Sequence, residues 1–362
     1  MTKDELLKIR IERPDQNIHD ETKRNLDRLA KPIDGLGDFE EAIAKIAAIQ
    51  GTAWPHVGNK ALVIFCADNG IVEEGVSQTD QSVTASVAAL MGENKSSVGI
   101  MTGDYPCTIY TVDVGIDTEE KLDGVIDMRV SRGTANFLKA PAMTEDACLQ
   151  AIENGMEMAM RCHKAGHDLL ATGEMGIGNT TTSTALYCAL TGELPVSVAG
   201  RGAGLSDAGL ARKIRVIDRA IRLHTLDTAL VSEKPAEYAF RALCCVGGLD
   251  IAALAGFMIG AATLKIPVVV DGLISAVAAM TAAMLVPGTE NVLLASHEGR
   301  EHGVHGALRR LGLTSFIRGN LALGEGTGAV MLFPLLDMAL RLYDSGTKFA
   351  DTSIGQYERY DR

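Results

Sequence analysis

What this sequence lacks most is positive charge: 34 Lys and Arg stand against 46 Asp and Glu, a formal net charge of −12. Nucleic-acid binding is thereby disfavoured, because contact with a phosphate backbone relies on a surplus of Lys and Arg. A small-molecule ligand is expected instead. Long unbroken apolar runs are also missing. The most apolar segment, Ile251 to Leu285, is interrupted by Lys265, Pro267 and Asp271, leaving runs shorter than the ~18 residues of a membrane span. No membrane crossing is expected. The opening MTKDELLKIRIERPDQ is charged and has no apolar h-region, so a cytoplasmic location is expected. The 7 cysteines are odd in number and form no C-x-x-C pair, which suits reduced, mostly buried thiols. Aromatics make up only 4%, whereas 47% of residues are hydrophobic and 38 are glycine. This is the composition of a globular chain rich in tight turns.

At 362 residues the chain is long enough for one large domain and something smaller. Five β-branched runs each end in a polar or Gly-rich turn and lead into an Ala-rich, helix-period segment: ALVIFCADNG (61–70), CTIYTVDVGI (107–116), HDLLATGEMG (167–176), IPVVVDGLIS (266–275) and NVLLASHEG (291–299). That alternation predicts an α/β fold with a parallel sheet and crossover helices. The polar ends Asp68, Asp113, Glu174, Asp271 and Ser296 would then share one sheet edge, where open α/β folds bind ligands. Taken singly, Asp113 and Asp271 also fit helix N-caps. Residues 17–31 and 37–50 read as amphipathic helices, broken at Pro32 and Gly37. Residues 329–344 read as another helix, which Pro334 should kink or restart. The expected organisation is residues 1–50 and 331–362 as a small helical domain around a large domain, 51–330, with a polar, extended tail.

The richest segment is ATGEMGIGNTTTSTALYCAL (171–190), a strand running through a Gly-rich turn into a helix. Free N–H groups and the helix dipole make such a start an anion site, and Gly176 and Gly178 would admit a phosphate close to the backbone. The G-K-[ST] ending of a Walker A loop is absent, and Thr181 stands where a dinucleotide fingerprint needs its last Gly. Two readings remain at this level, a monophosphate or sugar-phosphate site and a merely capped turn. Lys213, after a second Gly-rich turn (199–205), either completes the phosphate's neutralisation or is a solvated surface lysine. SHEGREHGVHG (296–306) is not a zincin motif, since Glu301 replaces the second His of H-E-x-x-H. No metal is expected, and no G-x-S-x-G elbow occurs. Two glutamates in Gly-rich turns remain, Glu174 and Glu325. A carboxylate held in a low-dielectric cleft can serve as a general base.

The blocks ADNG…EEGVS…VT (67–84), VDVGI (112–116), GEMGIGNTT (173–181), GRGAGL…RK (200–213), VVDG (269–272), SHEGREHG (296–303) and LGEGTGA (323–329) together resemble the nicotinate-nucleotide:dimethylbenzimidazole phosphoribosyltransferase family. They follow the family's order across about residues 60–330. The resemblance implies a Rossmann-like sheet, a small helical domain from both chain ends, and a homodimer without a cofactor. It implies transfer of phosphoribose from nicotinate mononucleotide to 5,6-dimethylbenzimidazole, giving α-ribazole 5′-phosphate and nicotinate for the nucleotide loop of cobalamin. By motif, Glu325 would be the general base and Glu174 a second catalytic residue. Gly176, Ile177, Gly178, Asn179, Thr180, Lys213 and Ser296 would hold the 5′-phosphate, and Ser77, Ser86, Met175 and Leu323 would form the base pocket. Three positions depart from many members: Asn69 and Val304 where they have His, and Ser86 where they have Gln. Relatives accept adenine, other benzimidazoles or phenols, and those that activate phenols are heterodimers of homologous subunits. The alternative implied is therefore one subunit of such a heterodimer, catalytic or not.

Overall fold

The computed structural model describes residues 1–360. Among the described residues seven strands form one parallel sheet in the order β3-β2-β1-β4-β5-β6-β7. They are β1 (Lys60–Ala67), β2 (Cys107–Gly115), β3 (Val125–Asp127), β4 (Leu169–Met175), β5 (Val268–Val270), β6 (Leu293–Gly299) and β7 (Ser315–Leu321). The helices are α1 (Lys3–Lys8), α2 (Gln16–Asp27), α3 (Asp38–Gln50), α4 (Ser82–Gly92), α5 (Ser97–Thr102), α6 (Glu145–Lys164) and α7 (Asn179–Thr191). They continue with α8 (Pro195–Val198), α9 (Asp207–Leu223), α10 (Pro235–Val246), α11 (Leu249–Thr263), α12 (Leu273–Leu285), α13 (His302–Arg310) and α14 (Thr327–Ser345).

Successive residues of a strand point to opposite faces, and β1 serves two cores in this way. Ala61, Val63 and Phe65 join the core under α6, α7 and α10 to α13, while Leu62, Ile64 and Cys66 join the core under α2 to α5 and α14. Both faces of the sheet are covered, as a parallel sheet requires. Helices α6 and α11 meet backbone to backbone: a β-carbon at Gly155 would stand 1.9 Å from the Ala253 carbonyl, and one at Gly256 2.0 Å from that of Ile152.

Near the chain ends, α2 packs on α3 and α3 on α14. Leu29 pairs with Lys348 in an antiparallel bridge, and Tyr343 donates to the Ala53 carbonyl at 2.6 Å. The tail returns along these helices, and Arg359 bridges Asp27 and Asp34, each at 2.8 Å.

Three sequence expectations need correction. The sheet has two strands, β3 and β7, that no apolar run announces. Pro334 does not split the helix expected there, because α14 is continuous from Thr327 to Ser345 with the proline inside it. Asp113 does not reach the ligand edge: its Oδ1 accepts the N–H groups of Gly115 and Ile116 at 2.9 and 2.8 Å, and Oδ2 pairs with Arg129 at 2.7 Å. That arrangement closes the turn after β2.

Candidate active site

The strand order turns back on itself between β1 and β4, and a crevice opens beyond the carboxyl ends of the strands at such a point. A cleft of about 730 Å³ lies there. The ends of β4, β5, β6 and β7 supply Glu174 and Met175, Asp271, His297, and the run Leu321 to Glu325. The loops 76–78 and 199–205 and the start of α13 complete it.

The turn Gly176–Gly178 feeds directly into α7. The N–H of Ile177 donates to Thr84 Oγ1 at 3.1 Å, and Thr84 donates in turn to Asp68 Oδ1 at 2.6 Å. Asp68 thus anchors the turn from below rather than facing the cleft. Gly176 is required for packing: a β-carbon would stand 2.3 Å from the Ala67 carbonyl of β1. Gly178, with φ of 94°, is in the left-handed region that favours glycine. The turn presents Asn179 and Thr180 to the cleft. Lys213, fully buried on α9, donates to Thr180 Oγ1 at 3.0 Å. Burial pushes its ammonium down to about 8. A charged lysine in that position is best satisfied by an anion.

Glu325 lies in an unusual turn. Gly324, Glu325 and Gly326 have φ of 85°, 60° and 81°, three consecutive left-handed residues. Glutamate there costs about 1 kcal/mol or more of backbone strain, so the surroundings must impose it. Asp271 contributes by accepting the Ala329 N–H at 3.0 Å, which binds the first turn of α14 to the end of β5. Glu325 Oε2 accepts the Val98 N–H at 3.1 Å. Gly324 packs on the neighbouring acid, since a β-carbon there would stand 2.8 Å from Glu174 Oε1. Both glutamates therefore flank one spot in the cleft.

Beneath that spot the acids crowd together. Asn179 Nδ2 donates both to Glu174 Oε2 and to Asp250 Oδ2, the latter at 3.2 Å. Burial raises Glu174 to about 8, Asp250 to about 7, Asp271 to about 7 and Asp68 to about 6. Burial lowers the His297 pKa and so favours the neutral ring. The Ser296 hydroxyl gives its one hydrogen to the Val270 carbonyl at 2.7 Å. The 2.9 Å contact with His297 Nδ1 then assigns the ring proton to Nδ1 and leaves Nε2 as an acceptor.

These raised carboxyls make a stability prediction. Each binds a proton more tightly in the folded chain than in the unfolded one, where the values are 3.8 for Asp and 4.5 for Glu. The folded state thus holds more protons between about pH 5 and 8, and stability falls as pH rises through that window. We expect the melting temperature to be higher at pH 5.5 than at pH 8. A profile rising over this range would mean that these groups are not buried as described.

Most residues expected at the site line the cleft: Glu174, Glu325, Gly176 to Thr180, Ser77, Met175 and Leu323. Lys213 reaches it through Thr180. Two do not. Ser296 is fully buried and spent on Val270, while its neighbour His297 lines the cleft. Ser86 lies on the exposed side of α4, bonded back to the Ser82 carbonyl at 3.0 Å, and Val87 is the cleft residue there. Sequence reasoning missed Asp250, which starts a helix far from any motif, and did not single out Glu301, His297 or Gln78 as cleft groups. The second Gly-rich turn was the available signal for Glu301, whose carboxylate packs against Gly200.

Comparison with known proteins agrees with this fold. Residues 11–354 match the DBI_PRT family, described as Phosphoribosyltransferase. The nicotinate-nucleotide–dimethylbenzimidazole phosphoribosyltransferase of Acetivibrio thermocellus is 39% identical over 339 residues, 94% of each chain. The protein of the same name from Ruminiclostridium cellulolyticum is 40% identical over 336 residues, 93% of each. The crystal structure of CobT from Thermus thermophilus superposes with a TM-score of 0.87 at 35% identity, covering 94% of this chain and 100% of that one. The chain is an enzyme of the pentosyltransferase class and belongs to the nicotinate-nucleotide–dimethylbenzimidazole phosphoribosyltransferase family.

Proposed function

We propose that this enzyme moves phosphoribose from nicotinate mononucleotide to 5,6-dimethylbenzimidazole or a related aromatic base, with Glu325 as general base. The observation that carries the reading is the strained turn that sets Glu325 and Glu174 on either side of one spot in the cleft. Leu323, 55% exposed, and Met175 offer an apolar wall there for a flat base. Thr180, Asn179 and Lys213 are the groups suited to the 5′-phosphate.

The acceptor's ring N–H gives its proton to Glu325 while the lone pair of its other nitrogen forms the bond to C1′. The bond from C1′ to the nicotinate nitrogen breaks, and its electron pair neutralises the pyridinium ring. Attack opposite the leaving group turns β into α. Positive charge accumulates on the ribosyl carbon in passing, and the ionised form of Glu174, favoured by the cationic pyridinium of the bound nucleotide, is placed to stabilise it. In-line positioning and one base supply what the step needs.

In this reading residues 1–50 and 331–360 form the small helical domain, residues 361 and 362 of that expected unit lying outside the described residues, and the active form is a homodimer. Met331, Leu335, Met338 and Leu342 form an exposed apolar stripe along α14, and Ile100 and Met101 of the adjoining α5 are exposed as well. Such a face is typically covered by a partner. Incubation with nicotinate mononucleotide and a panel of benzimidazoles, adenine and phenols, with mass detection of ribotides, tests the function. Ribotide formation from none of the bases would refute it. Light scattering tests the dimer.

A further inference from the structure

Glu301 stands at the head of α13, yet its side chain makes no capping bond to its own helix. It turns instead to the second Gly-rich turn, where the nearby Gly202 N–H favours its charged form. The approach is close, since a β-carbon at Gly200 would lie 2.8 Å from Glu301 Oε1. Gly202 in turn packs against Thr180, where its own β-carbon would stand 2.8 Å from Oγ1. That hydroxyl is the one Lys213 holds at 3.0 Å. Thr180, Lys213, Gly202 and the Glu301 carboxylate therefore lie together around the second Gly-rich turn, Glu301 touching it at Gly200 and making no direct ion pair with Lys213. Glu301 lines the cleft and is half-buried. Its field is the one that favours the charged form of the buried Lys213, and Lys213 acts reciprocally on Glu301.

We propose that Glu301 is the internal counter-ion of Lys213 before the nucleotide arrives, and that the substrate's phosphate takes its place. The inference rests on the phosphate site assigned above. A buried ammonium needs a compensating anion, and the Glu301 carboxylate, across Gly202 and Thr180 from it, serves until a phosphate binds. The two anions then compete for one cation, so the Glu301 charge opposes the phosphate. The exchange sets phosphate affinity below what Lys213 and the turn alone would give. It also lets the product leave without stranding Lys213. Other charges act on the pair: the Glu174 carboxyl feels Glu301 from the end of β4, and Arg300 and His302 flank it in the cleft wall.

The test is calorimetric titration of the full-length enzyme at pH 7 with three probes: nicotinate mononucleotide, inorganic phosphate and the phosphate-free nicotinate riboside. Glu301→Gln is expected to bind the mononucleotide and inorganic phosphate about tenfold tighter, with riboside affinity unchanged. Weaker or unchanged binding of the two phosphate ligands would overturn the proposal; weaker binding would make Glu301 a ligand contact. Lys213→Met, which keeps the apolar stem, reports separately on the phosphate site. It is expected to lose at least about 100-fold in affinity for both phosphate ligands, and wild-type affinity would remove the site itself. If Lys213→Met fails to fold, displacement of the mononucleotide by inorganic phosphate on the unaltered enzyme tests the phosphate site in its place.

Discussion

Glu325→Gln lowers kcat for phosphoribosyl transfer by about 10³-fold, within the range general acid–base catalysis supplies, while affinity for nicotinate mononucleotide stays within about threefold. The substitution is chosen for its geometry. Glutamine keeps an oxygen to accept the Val98 N–H, which Glu325 Oε2 accepts at 3.1 Å, so the left-handed turn at residues 324–326 retains its anchors. What is lost is the capacity to take a proton. If Glu325 only shaped the turn, the amide would preserve the rate, and near wild-type kcat would contradict the role assigned. Steady-state kinetics with dimethylbenzimidazole, beside a binding titration with the mononucleotide, separate the two. An acceptor already deprotonated at the assay pH should lose less rate than a benzimidazole, because it makes no demand on the base.

Glu174→Gln carries the second large effect, and it moves activity and stability in opposite directions. The carboxyl is buried, raised to about 8, and crowded by Asp250, Asp271 and Glu301. Ionising it near neutral pH therefore works against the folded state. A neutral glutamine keeps the partnership with Asn179 Nδ2 and removes that penalty, so the melting temperature of the variant at pH 8 should exceed wild type. The fall in stability from pH 5.5 to 8 should also flatten. The rate should fall by about 10²–10³-fold, the usual cost of removing one preorganised electrostatic stabiliser. An acid maintained at the expense of stability is what a functional site predicts. If stability falls at pH 8 and the rate is untouched, Glu174 is a structural acid. The motif places Asn179 at the phosphate, and its amide nitrogen is instead shared by Glu174 and Asp250. It is thus also a positioning residue for the same carboxylate.

Much of this was legible in the sequence, for identifiable reasons. The five apolar runs became β1, β2, β4, β5 and β6 because central parallel strands must be apolar on both faces. The edge strands β3 and β7 escaped notice on the same principle. The first is only Val125–Asp127, and the second, SFIRGNL, is half-exposed and carries Arg318 and Asn320. Polar groups at strand ends are legible as a set and less so one by one. Side chains alternate along a strand, so a shift of a single residue moves the cleft group from Ser296 to His297. Asp113 is spent on its own turn and on Arg129. Asp250 could not be found from spacing, since only the packing of α11 against the Gly-rich turn brings it to Asn179. Glu325 was visible because an acid among glycines is anomalous. The structure supplies the cause: Gly324 and Gly326 flank it with positive φ, and Asp271 ties the helix that follows to the end of β5 through the Ala329 N–H.

The central claim is an inverting transfer at C1′ in this one cleft. The most direct measurement is the anomeric configuration of the ribotide formed from β-nicotinate mononucleotide and 5,6-dimethylbenzimidazole, read by proton NMR of the purified product. The account predicts the α anomer alone, with one nicotinate released per ribotide. A β product, or a mixture of anomers, would contradict it.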